Sequence, residues 1–573
     1  MAAGTLVIAA FFGAGFHTSV SGVRVSSRTI VRPSILLLFL TFIWLRRCED
    51  RLTKLERLWA KTQSHANFIA ACLAGMVFIV ALRVSPFEAG GADAYGYVSQ
   101  AELWVKGSLI QGEPLAVIAP WPEAEWTLSP LGYRPGPEPA TIVPTYAPGL
   151  PLVMAGLLKP FGPFGAFLAV PLLGGVTIFL AFLLGKRLAG SECGLMCGAL
   201  LFTSPVFLYQ LKEPMSDVPV TAWWLLAILL GTMSRPQSAL VGGLAASAAI
   251  LTRPNLAPLA VPLAMFVLTY ARVRLRERLR NTALFAVGVL PGCVCVALLN
   301  TKLYGSALAS GYGSMSELFS VSYFWTNLRR YAAWLIETET PLVLVAPVAV
   351  LLLRGTERRI ASMFMAFSTV LYACYAFYLP FDSWTYLRFL LPAIALILIL
   401  CTVCILNAFA RLPSLLTKIT VAGLFILFLV WRWETTGLKP PAASQRRYAV
   451  IGEYVRDQLP PNAILLSIIH SGSVRYYSGR SSLRWDWLAA EWLDPALVFL
   501  TSNGYRPLFL IEDWERAQYA ERFSRRSQFG RLDWPPIASY RGDVDVDIFD
   551  PEDRSRFVAG QPIATRTIGS PLP

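Results

Sequence analysis

Apolar residues collect in long runs at 66–84, 162–185, 194–211, 218–233, 239–251, 256–270, 282–300, 332–353, 360–379, 389–410 and 415–431. None shows the two-residue alternation of a half-buried strand, and most approach the roughly 20 residues a helix needs to cross a bilayer. The pattern predicts a spanning helix for each. The shorter runs need tilt or local thinning. Proline inside or at the mouth of several (Pro171, Pro205, Pro262, Pro291, Pro347, Pro392) suits spanning helices whose neighbours satisfy the freed carbonyls. Two more apolar runs, 1–16 and 35–45, are short. The first lacks a basic segment ahead of it and a small-residue cleavage site, so it predicts a first span rather than a cleaved signal, with the second returning. The expected fold is a polytopic α-helical membrane protein of about 11–13 transmembrane helices.

Beyond residue 438 the texture changes. Helical patterns at 445–459, 484–500 and 514–523 are interleaved with strand-like runs at 463–469, 507–511 and 544–549, which predicts a small C-terminal α/β domain. The organisation expected is an N-terminal segment (1–65), a transmembrane catalytic domain (66–438) with a large first loop at 85–146, and the α/β domain (439–573).

Composition agrees with a bilayer as main solvent: of 573 residues, 55% are hydrophobic and 15% charged, and mean hydropathy is +0.52. The formal charge of +14 would suit a nucleic-acid partner if it formed a continuous surface. Instead, the basic residues sit in short turns between apolar runs: 46–61, Lys186-Arg187, Arg235, 272–280, 354–359, and Arg411 with Lys418. These fall on every second loop. The positive-inside bias assigns that side to the cytoplasm, and no nucleic-acid partner is expected. The nine cysteines lie in or beside apolar segments, where small buried hydrophobes are the expected role and a disulfide framework is not.

The opposite side receives 85–146, 212–217, 252–255, 301–331, 380–388 and the tail. Counting Lys and Arg clusters alone thus places Asp93, Glu213, Asp217, Arg253, Asp382 and Arg388 on one face, where a shared site is expected. The first of these loops opens as Gly90-Gly91-Ala92-Asp93-Ala94-Tyr95-Gly96-Tyr97. A carboxylate just beyond a span can accept a proton, while Tyr95 and Tyr97 hold a sugar or lipid headgroup. An interfacial aromatic anchor beside a solvated Asp fits the same residues, and residue chemistry alone leaves both readings open.

Here the chain resembles the GT-C superfamily of membrane glycosyltransferases, in particular bacterial family-39-like and protein-mannosyltransferase-like enzymes. Their first outer loop carries an acidic residue followed by Tyr and a helix, usually Asp-Glu-x-Tyr; Ala94 stands where the Glu would be. Tyr146-Ala147-Pro148-Gly149 resembles the segment before the family's next span. Lys212-Glu213-Pro214-Met215-Ser216-Asp217 follows as a second acidic loop. Segments around Tyr304-Gly305-Ser306 and Trp384-Thr385-Tyr386-Leu387-Arg388 are similar to uncharacterised bacterial members. The matches recur from about 85 to 392, and their order is more specific than any one of them.

The resemblance implies an inverting transfer from a polyprenyl-phosphate sugar to a glycan, lipid or protein acceptor. Asp93 would be the general base, Asp217 and Glu213 the completing acidic residues, and Tyr95, Tyr97 and Tyr304 substrate contacts. Arg253 and Arg388 are the phosphate candidates, since the guanidinium fork matches phosphate oxygens. A turn residue (Arg253) and interfacial snorkelling (Arg388) are the plainer alternatives. Carboxylates alone suit a divalent cation, Mg²⁺ or Mn²⁺, and this is left open. The placement implied is the bacterial inner (plasma) membrane, with membrane lipids around the spans and the site and C-terminal domain on the extracytoplasmic side. The tail, including His470-Ser471-Gly472-Ser473, is expected to shape acceptor access rather than perform chemistry. A transporter or lipid flippase with an outer binding domain is the competing reading, though it usually places ionisable residues within spans; a non-catalytic scaffold is a third.

Overall fold

The computed structural model describes residues 16–20, 23–27, 63–270, 274–412, 415–435 and 443–569. Before residue 63 this comprises a hairpin, β1 (Phe16–Val20) with β2 (Val23–Ser27); the rest of the expected spans at 1–16 and 35–45, and the basic cluster at 46–61, lie outside the described residues.

The membrane part is built from α1 (Ala66–Val84), α2 (Asp93–Lys106), α3 (Gly149–Phe161), α4 (Phe164–Phe202), α5 (Pro205–Leu211), α6 (Asp217–Gly231), α7 (Pro236–Thr252), α8 (Ala260–Tyr270), α9 (Leu275–Tyr304), α10 (Phe324–Glu339), α11 (Gly355–Ala376), α12 (Leu391–Ala410) and α13 (Leu415–Thr435). Among the described residues five helical stretches are long and apolar enough to cross a membrane, six if the pair bent by 111° at Glu339–Pro341 is one span. Four shorter apolar helices join them. The α4 stretch breaks at Ala189 and Gly190 (φ 87°) and doubles back: Gly185 lies against Gly194 and Cys197, and Gly198 against Ile178. It is therefore an antiparallel pair over the predicted run 162–185 and the first part of 194–211, turning at Ala189–Gly190 just past Lys186-Arg187, and the rest of the second run forms α5. Side chains of α4, α6 and α12 form the centre of the apolar core, whereas α9 exposes Val287, Leu290, Val294 and Leu298, the residues a lipid face requires.

The two ends of the bundle differ as the basic-turn pattern requires. At one end Lys186 donates to Asn67 (2.8 Å), Arg187 to the Thr232 carbonyl (3.2 Å) and Arg359 to the Tyr270 carbonyl (3.3 Å). The other end carries the C-terminal domain and the 85–146 loop, which holds a three-stranded sheet of β3 (Gln111–Gly112), β4 (Tyr133–Pro135) and β5 (Thr141–Pro144).

An ion pair is buried in the bundle away from the 85–146 loop. Arg432 of α13 meets Glu339 at 2.6 Å, with side chains 2% and 0% exposed; the Ser204 hydroxyl donates to Glu339, and Arg432 Nε to the Thr203 carbonyl at 3.1 Å. Arg432 follows the predicted run 415–431 and reads as an interfacial charge, whereas Glu339 lies inside the predicted run 332–353, which the structure divides at the bend between Glu339 and Pro341.

The C-terminal domain has a sheet ordered β11-β9-β10-β8-β6-β7. Its strands are β6 (Ala463–Leu466), β7 (Ser481–Leu483), β8 (Arg506–Glu512), β9 (Ala538–Tyr540), β10 (Val546–Phe549) and β11 (Arg566–Thr567). β7, β6 and β8 run parallel, and β10 pairs antiparallel with β8 and β9. α14 (Ala443–Gln458) precedes β6, α15 (Ser471–Ser478) joins β6 to β7, α16 (Leu493–Ser502) joins β7 to β8, and α17 (Glu515–Phe523) follows β8. One face of the sheet shares its core with the 85–146 loop: Leu115, Trp121, Ala124 and Leu128 pack with Ile464, Leu466, Phe509 and Ile511. Burial of a large apolar side chain contributes about 1.5–3 kcal/mol, so Leu115, Trp121 and Leu128 alone bind loop to domain by several kcal/mol. Polar contacts finish the joint: Arg475 reaches Glu113 and the Leu128 carbonyl, the Arg484 amide bonds the Thr127 carbonyl (2.6 Å), and Trp126 stacks on Trp487 (4.8 Å).

Candidate active site

α1 ends at Val84, and after a turn through Phe87 to Gly91 the chain enters α2 at Asp93. An acidic first-turn residue is favoured there by the helix dipole, and Gly107 in the left-handed conformation (φ 80°) closes the helix. The Asp93 carboxylate is held from two sides. Tyr146 donates its hydroxyl to Oδ1 at 2.6 Å; burial pushes that phenol well above its ordinary pKa, so it stays protonated and donates. Arg388 places both terminal nitrogens 3.4 Å from Oδ2. Asp93 keeps 32% of its side chain exposed, enough for an incoming group to reach it.

A second pair lies deeper. Arg253 meets Asp217 at 2.6 Å and also donates to the Ser216 hydroxyl (3.0 Å) and the Tyr375 hydroxyl (3.1 Å). Its side chain is 12% exposed and that of Asp217 only 1%. Phe389 stands between the two cations, its ring centroid 5.0 Å from the Arg253 guanidinium and 5.3 Å from that of Arg388, which offsets their mutual repulsion. The two arginines thus differ in kind. Arg253 has committed Nε, Nη1 and Nη2 to protein oxygens, whereas Arg388 holds Asp93 loosely, touches Met215 sulfur at 3.1 Å and has a buried Nε without a hydrogen-bond partner.

Tyr97, one turn along α2 from Asp93, shares its face: the hydroxyl donates to Ser216 (3.0 Å) and the ring packs 4.5 Å from that of Tyr146. Tyr95 turns the other way, against Tyr133 (5.6 Å) and Gly472 of the C-terminal domain. Tyr304 gives its hydroxyl to the Pro144 carbonyl (2.7 Å) and lies under Arg134, so it braces the loop. Glu213 is half-buried; burial raises its pKa, Lys212 lowers it and Asp93 raises it further. Glu213 and Lys212 also line a small recess walled by Phe87, Phe167, Val170 and Leu211. Residues the reading of single side chains missed include Tyr146, Tyr375, Met215, Phe389 and Tyr312, whose ring meets Tyr146 edge-on at 5.8 Å. Tyr146 and Met215 lie in the quoted segments and Phe389 directly follows one, which was the available signal.

As a cation site the donor set fits poorly. Among the described residues no three His, Cys, Asp or Glu side chains converge, and Asp93 and Asp217 each already face a guanidinium, whose charge opposes a metal ion.

Residues 147–299 match the family model described as dolichyl-phosphate-mannose-protein mannosyltransferase. No curated protein sequence matches the chain. Among solved structures, apo ArnT from Cupriavidus metallidurans is 14% identical, with 84% of this chain and 97% of that one covered and a TM-score of 0.50. The same protein bound to undecaprenyl phosphate gives 15% identity, 84% and 97% coverage, and a TM-score of 0.49. The oligosaccharyltransferase AglB from Archaeoglobus fulgidus, in complex with an inhibitory peptide and a dolichol-phosphate, gives 10% identity, 81% and 72% coverage, and a TM-score of 0.49. The likeness to apo ArnT is one of fold.

Proposed function

We propose, from the premise that this chain is a membrane glycosyltransferase of GT-C fold, that it moves a sugar from a polyprenyl phosphate to an acceptor hydroxyl in one inverting step with Asp93 as general base. The observation that carries this is the Asp93 carboxylate, part-exposed and shared between the Tyr146 hydroxyl and a loosely held Arg388. The acceptor oxygen forms the new bond to the anomeric carbon and passes its proton to Asp93, while the bond to the lipid phosphate breaks and its electron pair leaves on the phosphate oxygen. A phosphate needs its charge neutralised more than it needs a proton, and Arg388 can turn from Asp93 to supply that. Arg253 and Asp217, bonded to each other, hold the wall on which Tyr97 and Phe389 rest. Glu213, its carboxyl pKa raised first by burial, stands beside the recess and can accept a hydrogen bond from the acceptor. A divalent cation enters no step.

The basic turns at the opposite end support placing the site outside the cytoplasm, and a bacterial inner membrane is the placement proposed with it. The deciding assay is transfer of labelled sugar from a polyprenyl-phosphate donor by purified protein, with acceptors taken from a mass-spectrometric comparison of envelope glycans and glycoproteins made with and without it. The transporter or flippase reading has one observation on its side, the Glu339–Arg432 pair within the bundle. It predicts lipid translocation with no new glycosidic bond when the purified protein is placed in lipid vesicles with donor and acceptor, and that result would overturn the enzyme reading.

A further inference from the structure

The turn just before Asp93 is gripped by residues that come more than 350 positions later. Tyr477 of α15 accepts a hydrogen bond from the Ala89 amide (2.8 Å) and donates to Glu88 (2.9 Å). Tyr448 of α14 lies flat on Gly90: a methyl group there would sit 2.0 Å from Cδ2 and 2.5 Å from Cε2 of its ring, so only glycine permits the approach. From the other side Phe87, held at φ 55°, packs tilted against Phe164 (5.0 Å) and edge-on against Phe167 (6.1 Å) of α4. A non-glycine residue in that conformation costs of order 1–3 kcal/mol and persists only where its surroundings impose it.

Tyr448 is itself braced. Arg447 donates to its hydroxyl (2.9 Å) and to Glu512 (2.7 Å), the His470 ring lies 4.8 Å away, and His470 Nε2 meets Glu512 at 2.9 Å. His470 follows β6 and Glu512 ends β8. These are the carboxyl ends of adjacent parallel strands whose connections leave in opposite directions, the crevice where open α/β sheets receive ligands. Here the chain's own Gly90-Gly91 turn lies at it, with Ile469 beside Gly91.

We propose that Tyr448 and Tyr477 are positioning residues for the transfer reaction: the C-terminal domain clamps Glu88–Gly91 at its switch-point crevice and thereby sets the place of Asp93 at the acceptor. This rests on the reading of Asp93 as base. It gives the domain a part in turnover in addition to acceptor access, and explains why the loop and the sheet share one core.

Gly90→Ala forces the turn off the Tyr448 ring. Since misplacement by about 1 Å can cost about 100-fold, kcat should fall at least about tenfold while KM for the lipid donor, bound through Arg388, stays within about twofold. Tyr477→Phe, which keeps the ring and removes both hydrogen bonds, should act in the same direction. Gly90→Ala combined with Tyr448→Ala relieves the clash and should regain turnover relative to Gly90→Ala alone, a coupling that a general loss of folding does not produce. Wild-type kcat in both Gly90→Ala and Tyr477→Phe would overturn the proposal. So would a loss that tracks melting temperature and shows no regain in the double variant. Wild type and Asp93→Asn run alongside, so an inactive wild type counts against the functional reading alone. The clamp is then read by hydrogen exchange at the Tyr95 and Gly96 amides, which bond the Gly90 and Ala92 carbonyls. Faster exchange in Tyr477→Phe supports it, and unchanged exchange sinks it.

Discussion

Asp93→Asn separates chemistry from structure because the site makes the two costs unequal. Asn keeps the shape and an oxygen for the Tyr146 hydroxyl at 2.6 Å, so that bond survives. What the fold loses is the pairing with Arg388 at 3.4 Å, made by a carboxylate with 32% of its side chain exposed; a pair so open to water is worth at most about 1 kcal/mol. The melting temperature should therefore move by no more than a few degrees. The reaction loses its proton acceptor, and a positioned general base is worth about 10²–10⁴-fold, or about 2.7–5.4 kcal/mol of barrier. The measurement is kcat and donor KM for purified, monodisperse wild type and variant with a polyprenyl-phosphate sugar. The expected result is a collapse of kcat with KM little changed. Turnover at the wild-type rate would remove Asp93 as base. A rise in KM with kcat preserved would mean that its only task is to hold Arg388.

Arg388→Ala should raise donor KM by about tenfold or more and Arg388→Lys should recover part of it, because lysine restores charge without the fork; titration with a polyprenyl phosphate checks this. Arg253→Ala should instead destabilise by about 3–5 kcal/mol, since it strands an Asp217 carboxylate that is 1% exposed; a normal melting temperature would contradict the assignment. Arg432→Met should cost a similar amount through the isolated Glu339, and Arg432→Met with Glu339→Leu should regain most of it, as read by thermal unfolding in detergent. Burial raises the Glu88 carboxyl to about 7 against the lowering effects of Tyr477 and of Arg446 on α14, with Glu453 adding to the rise. The folded state then keeps a proton that the unfolded state releases near 4.5, so this stabilising contribution is complete below 4.5 and is lost as pH rises through about 7. Glu88→Gln should flatten that slope in pH-resolved melting curves.

The spans were legible where composition decides them. Ala66–Val84 falls on its predicted limits, and the turn at Ala189–Gly190 lies between two predicted runs because Lys186 and Arg187 mark it. The gathering of Asp93, Asp217, Arg253 and Arg388 at one end followed from counting basic turns. The split between Tyr95 and Tyr97 was available but undrawn: at 100° per residue Tyr97 returns to the Asp93 face while Tyr95 points away. The different roles of Arg253 and Arg388 were not available, since they depend on which carboxylate each meets across more than one helix. The same holds for the shared core of Leu115, Trp121 and Leu128 with strands at 463–512, where apolar residues in a loop gave no hint of their partner.

That shared core sets an order of events during synthesis. Leu128 must wait for Ile464 and Phe509, more than three hundred residues downstream, which at about 5–20 residues per second is on the order of 20–70 s. Until then the loop bearing Asp93 lacks the sheet that completes its core, while the membrane helices between are already being made. A nascent or prematurely terminated chain would thus carry Asp93 on an unfinished loop, and the proposed glycosyl transfer would switch on only once the α/β domain at 443–569 has folded.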